Sequence, residues 1–251
     1  MKFSGFSMRL FRALRAYFVF SSAAATFSAF CAAQTPAAQP SAPDTMAARV
    51  KACAVCHGPQ GEGTHNDYFP RLAGKPAGYL AEQLKNFRAG RRNYPPMNEL
   101  VTYLSGDYLY EIAVYYSKLR PSHMPFEPSV SEPFSPSRFA RGQMLAQEGD
   151  AAKGIPACIA CHHQTLAGVQ PSIPGLLGLS ADYISAQLGA WRSGSRRAAA
   201  PDCMQAIAAH LSDADISAVA RWLSMQVYHS DLAPAPAGSV QLSLQCGSVP
   251  H

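Results

Sequence analysis

Cys53-Ala54-Val55-Cys56-His57 and Cys158-Ile159-Ala160-Cys161-His162 each set two thiols three positions apart with an imidazole directly after the second. A Cys-x-x-Cys pair by itself can be a redox dithiol or half of a zinc site, but neither chemistry requires a histidine in the next position. Two thioether bonds to a porphyrin and one imidazole on its iron do require it, so each copy reads as a covalent c-type haem site. The chain is expected to carry two haem c groups, with His57 and His162 as iron ligands.

An electron carrier needs a second axial ligand on each iron. Met97 stands 40 residues after His57 and Met204 stands 42 after His162, and the two methionines are themselves 107 apart. A thioether is a soft, neutral ligand that favours the ferrous state, so a His/Met pair raises the reduction potential. An isolated methionine in a small domain is usually core filler. The matched placement favours ligation for Met97 and Met204, whereas Met124, Met144 and Met225 have no counterpart and read as core or surface. Cys203, directly before Met204, is a competing ligand, because a thiolate on iron would lower the potential and turn the site toward catalysis.

The elements that position these groups are repeated. Phe69-Pro70-Arg71-Leu72-Ala73-Gly74 aligns with Ile173-Pro174-Gly175-Leu176-Leu177-Gly178 at an offset of 104, as do Tyr79, Gln83, Leu84, Phe87 and Gly90 with Tyr183, Gln187, Leu188, Trp191 and Gly194. At the offset of 107, Leu104-Ser105 meets Leu211-Ser212, and Leu109, Ile112 and Ala113 meet Ile216, Val219 and Ala220. Such ordered self-similarity marks a duplicated unit. Tyr79, Leu80, Gln83, Leu84 and Phe87 fall on one helical face, with Pro76 fit for a first turn and Gly90 for a C-terminal cap. Ser105 and Ser212 can cap later helices, and Asp215 stands three residues after the second of these serines. The methionines are expected on the loop between the two later helices. No strand is predicted, and the fold class is all-α: two tandem small helical domains, each wrapped around one covalent haem.

Residues 1–33 differ in kind. Lys2, Arg9, Arg12 and Arg15 precede an apolar stretch from Ala16 to Phe30 and the small residues Cys31-Ala32-Ala33, the order of an export signal cleaved after Ala33. An uncleaved anchor and a lipoprotein at Cys31 are the alternatives; the apolar run is short for a membrane span, and Phe30 does not suit lipidation. The net charge of +5 is misleading in this light. Four of the 21 basic residues and none of the 16 acidic ones lie in that segment, so the remainder has 17 basic and 16 acidic residues and a charge of +1. With haem propionates it is expected to be near neutral or acidic, and a nucleic-acid partner has no support.

The expected layout is a signal peptide at 1–33, a flexible Ala, Pro and Gln lead-in at 34–44, a first cytochrome domain at 45–122, a proline-rich connector at 123–137, a second domain at 138–230 and a tail at 231–251. A helix from Thr45 to Lys51 is expected to run into the first haem motif. Of the seven cysteines, Cys31 leaves with the signal and four hold haem. Cys203 and Cys246 remain, and in an oxidising compartment they are candidates for a disulfide that ties the tail to the second domain.

Paired haem motifs, a Tyr-x-x-x-Gln-Leu helix followed by Gly and Arg, and methionines at matched places resemble the diheme cytochrome c4 family, over nearly all of residues 45 to 228. The resemblance implies two tandem class I cytochrome c-like domains, each wrapped around one covalent haem, in a periplasmic carrier, soluble or loosely membrane-attached, with a pseudo-twofold relation between its domains. It also implies that Pro70 and Pro174 offer backbone carbonyls to His57 and His162. Two features depart from the family pattern: His163 follows the second motif where Gly58 follows the first, and Pro95-Pro96 stands in the first methionine loop. These leave the exact potentials open.

Other polar residues have plainer readings. His65, His123, His163, His210, His229 and His251 have no matched partners and are expected to face solvent or make hydrogen bonds. Arg91-Arg92 and Arg196-Arg197 suit haem propionates, an acidic partner or a solvated helix end equally. No catalytic residue is expected. The functional reading is a periplasmic electron carrier whose partners are redox proteins: a quinol-oxidising complex or dehydrogenase as donor, and a terminal oxidase or similar acceptor. The alternatives are a diheme oxidoreductase of peroxidase or thiosulfate dehydrogenase type, with one open or thiolate-bound iron, and a cytochrome subunit of a dehydrogenase complex.

Overall fold

A computed structural model describes residues 44–66, 68–121 and 135–249. The expected signal at 1–33, nearly all of the lead-in and most of the connector lie outside the described residues. The first half contains α1 (Met46–Arg49), α2 (Lys51–His57), α3 (Ala77–Arg88), α4 (Pro95–Val101) and α5 (Gly106–Lys118). The second contains α6 (Pro136–Gln147), a 3₁₀ turn at Ala151–Lys153, α7 (Cys158–His162), α8 (Ala181–Arg192), α9 (Cys203–Ala209) and α10 (Asp213–Ser224). Between α7 and α8, β1 (Gly168–Val169) and β2 (Ile173–Pro174) form an antiparallel pair, a short ladder that the sequence pattern did not signal.

Local chemistry explains most boundaries. Thr45 caps α1, but the helix expected to run into the motif breaks at Val50. Pro76 precedes α3, and Gly90, just beyond its end, takes the left-handed φ of 67° that closes a helix without a Cβ penalty. Ser105 Oγ accepts from Tyr108 N–H at 3.2 Å to start α5. At α10 the box is complete: Ser212 Oγ accepts from Asp215 N–H, and the Asp215 carboxylate accepts from Ser212 N–H at 3.2 Å.

The placement of the two methionines is corrected as well. Met97 and Met204 lie in the first turns of α4 and α9, not on open loops. Pro95 and Pro96 start α4, where a missing N–H costs nothing, and Asp202 caps α9 by accepting from Gln205 N–H at 3.1 Å. Each helix spans only seven residues, too few for periodicity to announce it.

In the first half α3 packs on α5, burying Leu80, Ala81, Ile112, Ala113 and Tyr116 together. In the second, α10 packs on α6 and α8 around Leu145, Ile184, Val219 and Leu223. Gly142 lets the backbones of α6 and α10 meet, since a Cβ there would run into the carbonyl of Ala218. The tail does not trail away: Ala235 exchanges backbone hydrogen bonds with Gly168 and Gln170, and Val240, Leu242 and Val249 pack on Val169 and Ile173.

The two halves are joined by a duplicated polar lock. Arg92 donates to Gln83 at 3.1 Å and, across the boundary, to Gln187 at 2.9 Å and Tyr183 Oη at 2.8 Å. Arg196 reciprocates, donating to Gln187 at 2.7 Å and across to Gln83 at 2.8 Å. Arg92 lies over the Phe87 ring, 4.6 Å from its centroid, and Arg196 over Trp191 at 3.6 Å. Gln83 with Gln187, Arg92 with Arg196 and Phe87 with Trp191 are all pairs at the 104 offset, so the contact is pseudo-twofold.

Candidate haem sites

Each motif forms a short helix whose last residue is the histidine, which is how two sulfurs and an imidazole come to share one side of a turn. His57 is 6% and His162 8% exposed. His57 Nδ1 lies 2.8 Å from the Pro70 carbonyl, and His162 Nδ1 lies 2.7 Å from that of Pro174. A carbonyl only accepts, so Nδ1 carries the proton in both rings and the Nε2 lone pair is free for a metal. Burial is the main force lowering both histidine pKa values, against the carbonyl bond that raises them, so the rings are neutral, as ligation requires.

The cysteines divide by use. Cys53, Cys56, Cys158 and Cys161 are unpaired thiols, available for thioether bonds. Cys203 and Cys246 form a disulfide across a sequence separation of 43, with Cα atoms 5.1 Å apart. With its sulfur so engaged, Cys203 has no thiolate to offer iron.

Met204 lines the same apolar cavity as Cys158, Cys161 and His162. The tail closes part of that cavity through Leu242, Leu244 and Val249. In the first half Met97 packs with Phe87, Val101 and Leu109 beside the α3–α4 contact.

Lys75 and Arg196 line the second half's cavity, Arg92 bonds Gln83, Tyr183 and Gln187 of its wall and Arg71 lies outside its lining, and these charges test whether haem fits. Arg71, Lys75 and Arg196 are each 5% exposed or less, and Arg92 is half-buried. Among the described residues none of the four pairs with a carboxylate. Burial pushes the guanidinium pKa values of Arg71 and Arg196 down to about 10 and that of Lys75 well below the usual lysine range, where Arg71, Arg92 and Arg196 add repulsion. Buried cations without counter-charge are expensive. Trp191 Nε1–H, also buried and on a ring lining this cavity, has no acceptor among the described residues. Haem brings two carboxylates per ring, the complement this donor set lacks, so the residues present fit the group.

The arginine pairs therefore split. Arg92 and Arg196 form the lock, while Arg91 donates to Asn86 and its carbonyl accepts from Arg197 N–H at 2.7 Å. His163 sits at a left-handed φ of 69° where Gly58 has 82°, and its ring bonds Thr165 Oγ1 at 2.9 Å. His65, His210 and His229 are exposed, and His123 and His251 lie outside the described residues. Sequence reasoning missed Arg71 and Lys75. The signal was available in the repeat, which sets Gly175 and Leu179 opposite them, so two charges in one copy replace uncharged residues in the other.

A family model for cytochrome c matches residues 47–106. The thiosulfate dehydrogenase electron acceptor of Thiomonas intermedia is 40% identical over 206 residues, 82% of this chain and 89% of that protein. Cytochrome c4 of Pseudomonas aeruginosa is 34% identical over 184 residues, 72% of this chain and 87% of its own length. The chain belongs to the diheme cytochrome c4 family. The crystal structure of reduced cytochrome c4 from Pseudomonas stutzeri superposes on it with a TM-score of 0.60 at 30% identity, covering 71% of this chain and 95% of that one. Membership in the cytochrome c4 family carries two class I cytochrome c domains, covalent haem c and electron transport between redox proteins.

Proposed function

We propose that this cytochrome is an exported, periplasmic carrier that takes single electrons from a thiosulfate-oxidising dehydrogenase and passes them to a terminal oxidase or similar acceptor, with both irons ligated by His and Met. The carrying observation is the likeness of the two sites: each has a neutral imidazole held by a proline carbonyl, and each has a methionine in the first turn of a short helix. Similarity to the thiosulfate dehydrogenase electron acceptors of Thiomonas intermedia and Stutzerimonas stutzeri supports the choice of donor. No helix among the described residues is long and apolar enough to cross a membrane.

The haem supplies the one-electron couple. The protein's own residues do the rest: Cys53, Cys56, Cys158 and Cys161 would anchor the rings, His57 and His162 would bind iron through Nε2, and Met97 and Met204 would close the sixth positions. Pro70 and Pro174 hold the imidazole orientation, and the lock of Arg92 and Arg196 would meet propionates while keeping the halves in one relation. A group so held by histidine and methionine in each half would serve electron transfer rather than substrate binding.

The test is direct. Ferric holoprotein mixed with catalytic amounts of a thiosulfate dehydrogenase is expected to be reduced at both haems on adding thiosulfate, and not by thiosulfate alone. Reduction by thiosulfate without the dehydrogenase would make the chain an oxidoreductase in its own right.

A further inference from the structure

Lys75 belongs to the first half by sequence and to the second by contact. It is 5% exposed, and its Nζ donates to the carbonyl of Gly175 at 2.7 Å. Gly175 follows Pro174, whose carbonyl accepts from the His162 ring at 2.7 Å. One ammonium from the first half thus holds the peptide next to the one that orients the second half's iron-binding imidazole. Lys75 also lines the cavity shared by Cys158, Cys161, His162 and Met204.

The repeat offers no reverse contact at the equivalent position. The residue at the 104 offset from Lys75 is Leu179, buried and apolar, so that position has no ammonium to return toward His57. Arg71 strengthens the asymmetry: it donates to the Leu177 carbonyl across the boundary at 3.0 Å, and its counterpart is Gly175. The lock of Arg92 and Arg196 is pseudo-symmetric and acts on both halves alike; Lys75 acts on one.

We propose that Lys75 is a positioning residue for the second haem site, one that fixes the Pro174-Gly175 segment behind His162 and places a cation there that raises the potential of that haem alone. The carboxylates of a haem in the cavity that Lys75 lines would supply the counter-charge it lacks and hold it protonated, and because adding an electron to ferric iron lowers its charge, that positive charge in a water-poor site would favour the ferrous form. The potential of one haem then depends on how the other half is seated. This rests on haem occupying both motifs with His/Met ligation.

A spectroscopic redox titration of the holoprotein tests it. Met204→His, which exchanges thioether for imidazole, marks the wave of the second haem by lowering it. In Lys75→Met that same wave is expected to fall by about 60 mV, a tenfold change in a one-electron equilibrium, while the other wave stays in place. Lys75→Gln keeps a donor for Gly175 without the charge; it guards against misfolding of the first variant and is expected to lower the same wave. Equal movement of both waves, movement of neither, or a Lys75→Gln protein identical to wild type would overturn the proposal. If Met204→His moves no wave, it is the ligation scheme that fails, independently of Lys75.

Discussion

Gln83 Oε1 and Gln187 Oε1, one from each half, accept hydrogen bonds from the same two guanidiniums, those of Arg92 and Arg196. Neither half can present this arrangement alone, so the lock couples the stability of one to the presence of the other.

A double-mutant cycle on Arg92→Met and Gln187→Leu reads that coupling. Hydrogen bonds to charged groups are the stronger kind, and contacting residues are not additive. The expected interaction energy is about 1 kcal/mol or more in denaturant unfolding of the ferric holoprotein; additive variants would mean the lock contributes nothing.

The Cys203–Cys246 disulfide closes a 43-residue loop and sits next to Met204. Cys246→Ser is expected to cost about 4 kcal/mol of stability, the chain-entropy value for a loop of this length. It should also free the tail from the second cavity, so that imidazole displaces Met204 at lower concentration than in wild type while Met97 is unaffected. An unchanged imidazole titration would show that the tail does not guard the ligand.

Asp215 is 3% exposed and is held by Ser212, Arg141 and Lys153. Burial opposes its ionisation, but the Ser212 and Arg141 hydrogen bonds outweigh burial and hold the carboxyl well below the usual range. Its folded pKa is depressed, so its contribution is present above the ordinary value of about 3.9 and fades as pH falls through the folded one. Asp215→Asn is expected to be less stable by about 3 kcal/mol near neutrality. The difference from wild type should shrink below about pH 4 in acid-unfolding curves.

His163 occupies a left-handed backbone position that Gly58 fills in the first half. Such a conformation costs a non-glycine residue on the order of 1 kcal/mol or more. His163→Gly is therefore expected to raise the thermal midpoint by roughly 2–4 °C. A lower midpoint would mean the ring's bond to Thr165 outweighs the strain.

Much of this was legible because the chain contains itself twice. The offset of 104 gave the Tyr and Gln positions of the long helices, and Ser105 and Ser212 announced α5 and α10 by their caps. The proline carbonyls, inferred from family likeness, are in place. Helices α4 and α9 escaped notice because two turns carry no readable period. Lys75 and Arg71 escaped because pattern matching looks for agreement, and their meaning lies in the mismatch with Leu179 and Gly175. A charge at one helix end reads as solvated until the partner half is laid against it.

The central claim is that thioether sulfur closes both irons. It is tested most directly by the methionine-to-iron charge-transfer band of the ferric protein, measured against covalent haem content. The account predicts two haems per chain, a band that falls by half in Met97→Ala and by half in Met204→Ala, and none in the double variant. A high-spin ferric haem in the resting wild type, or a band that one substitution abolishes entirely, would contradict it.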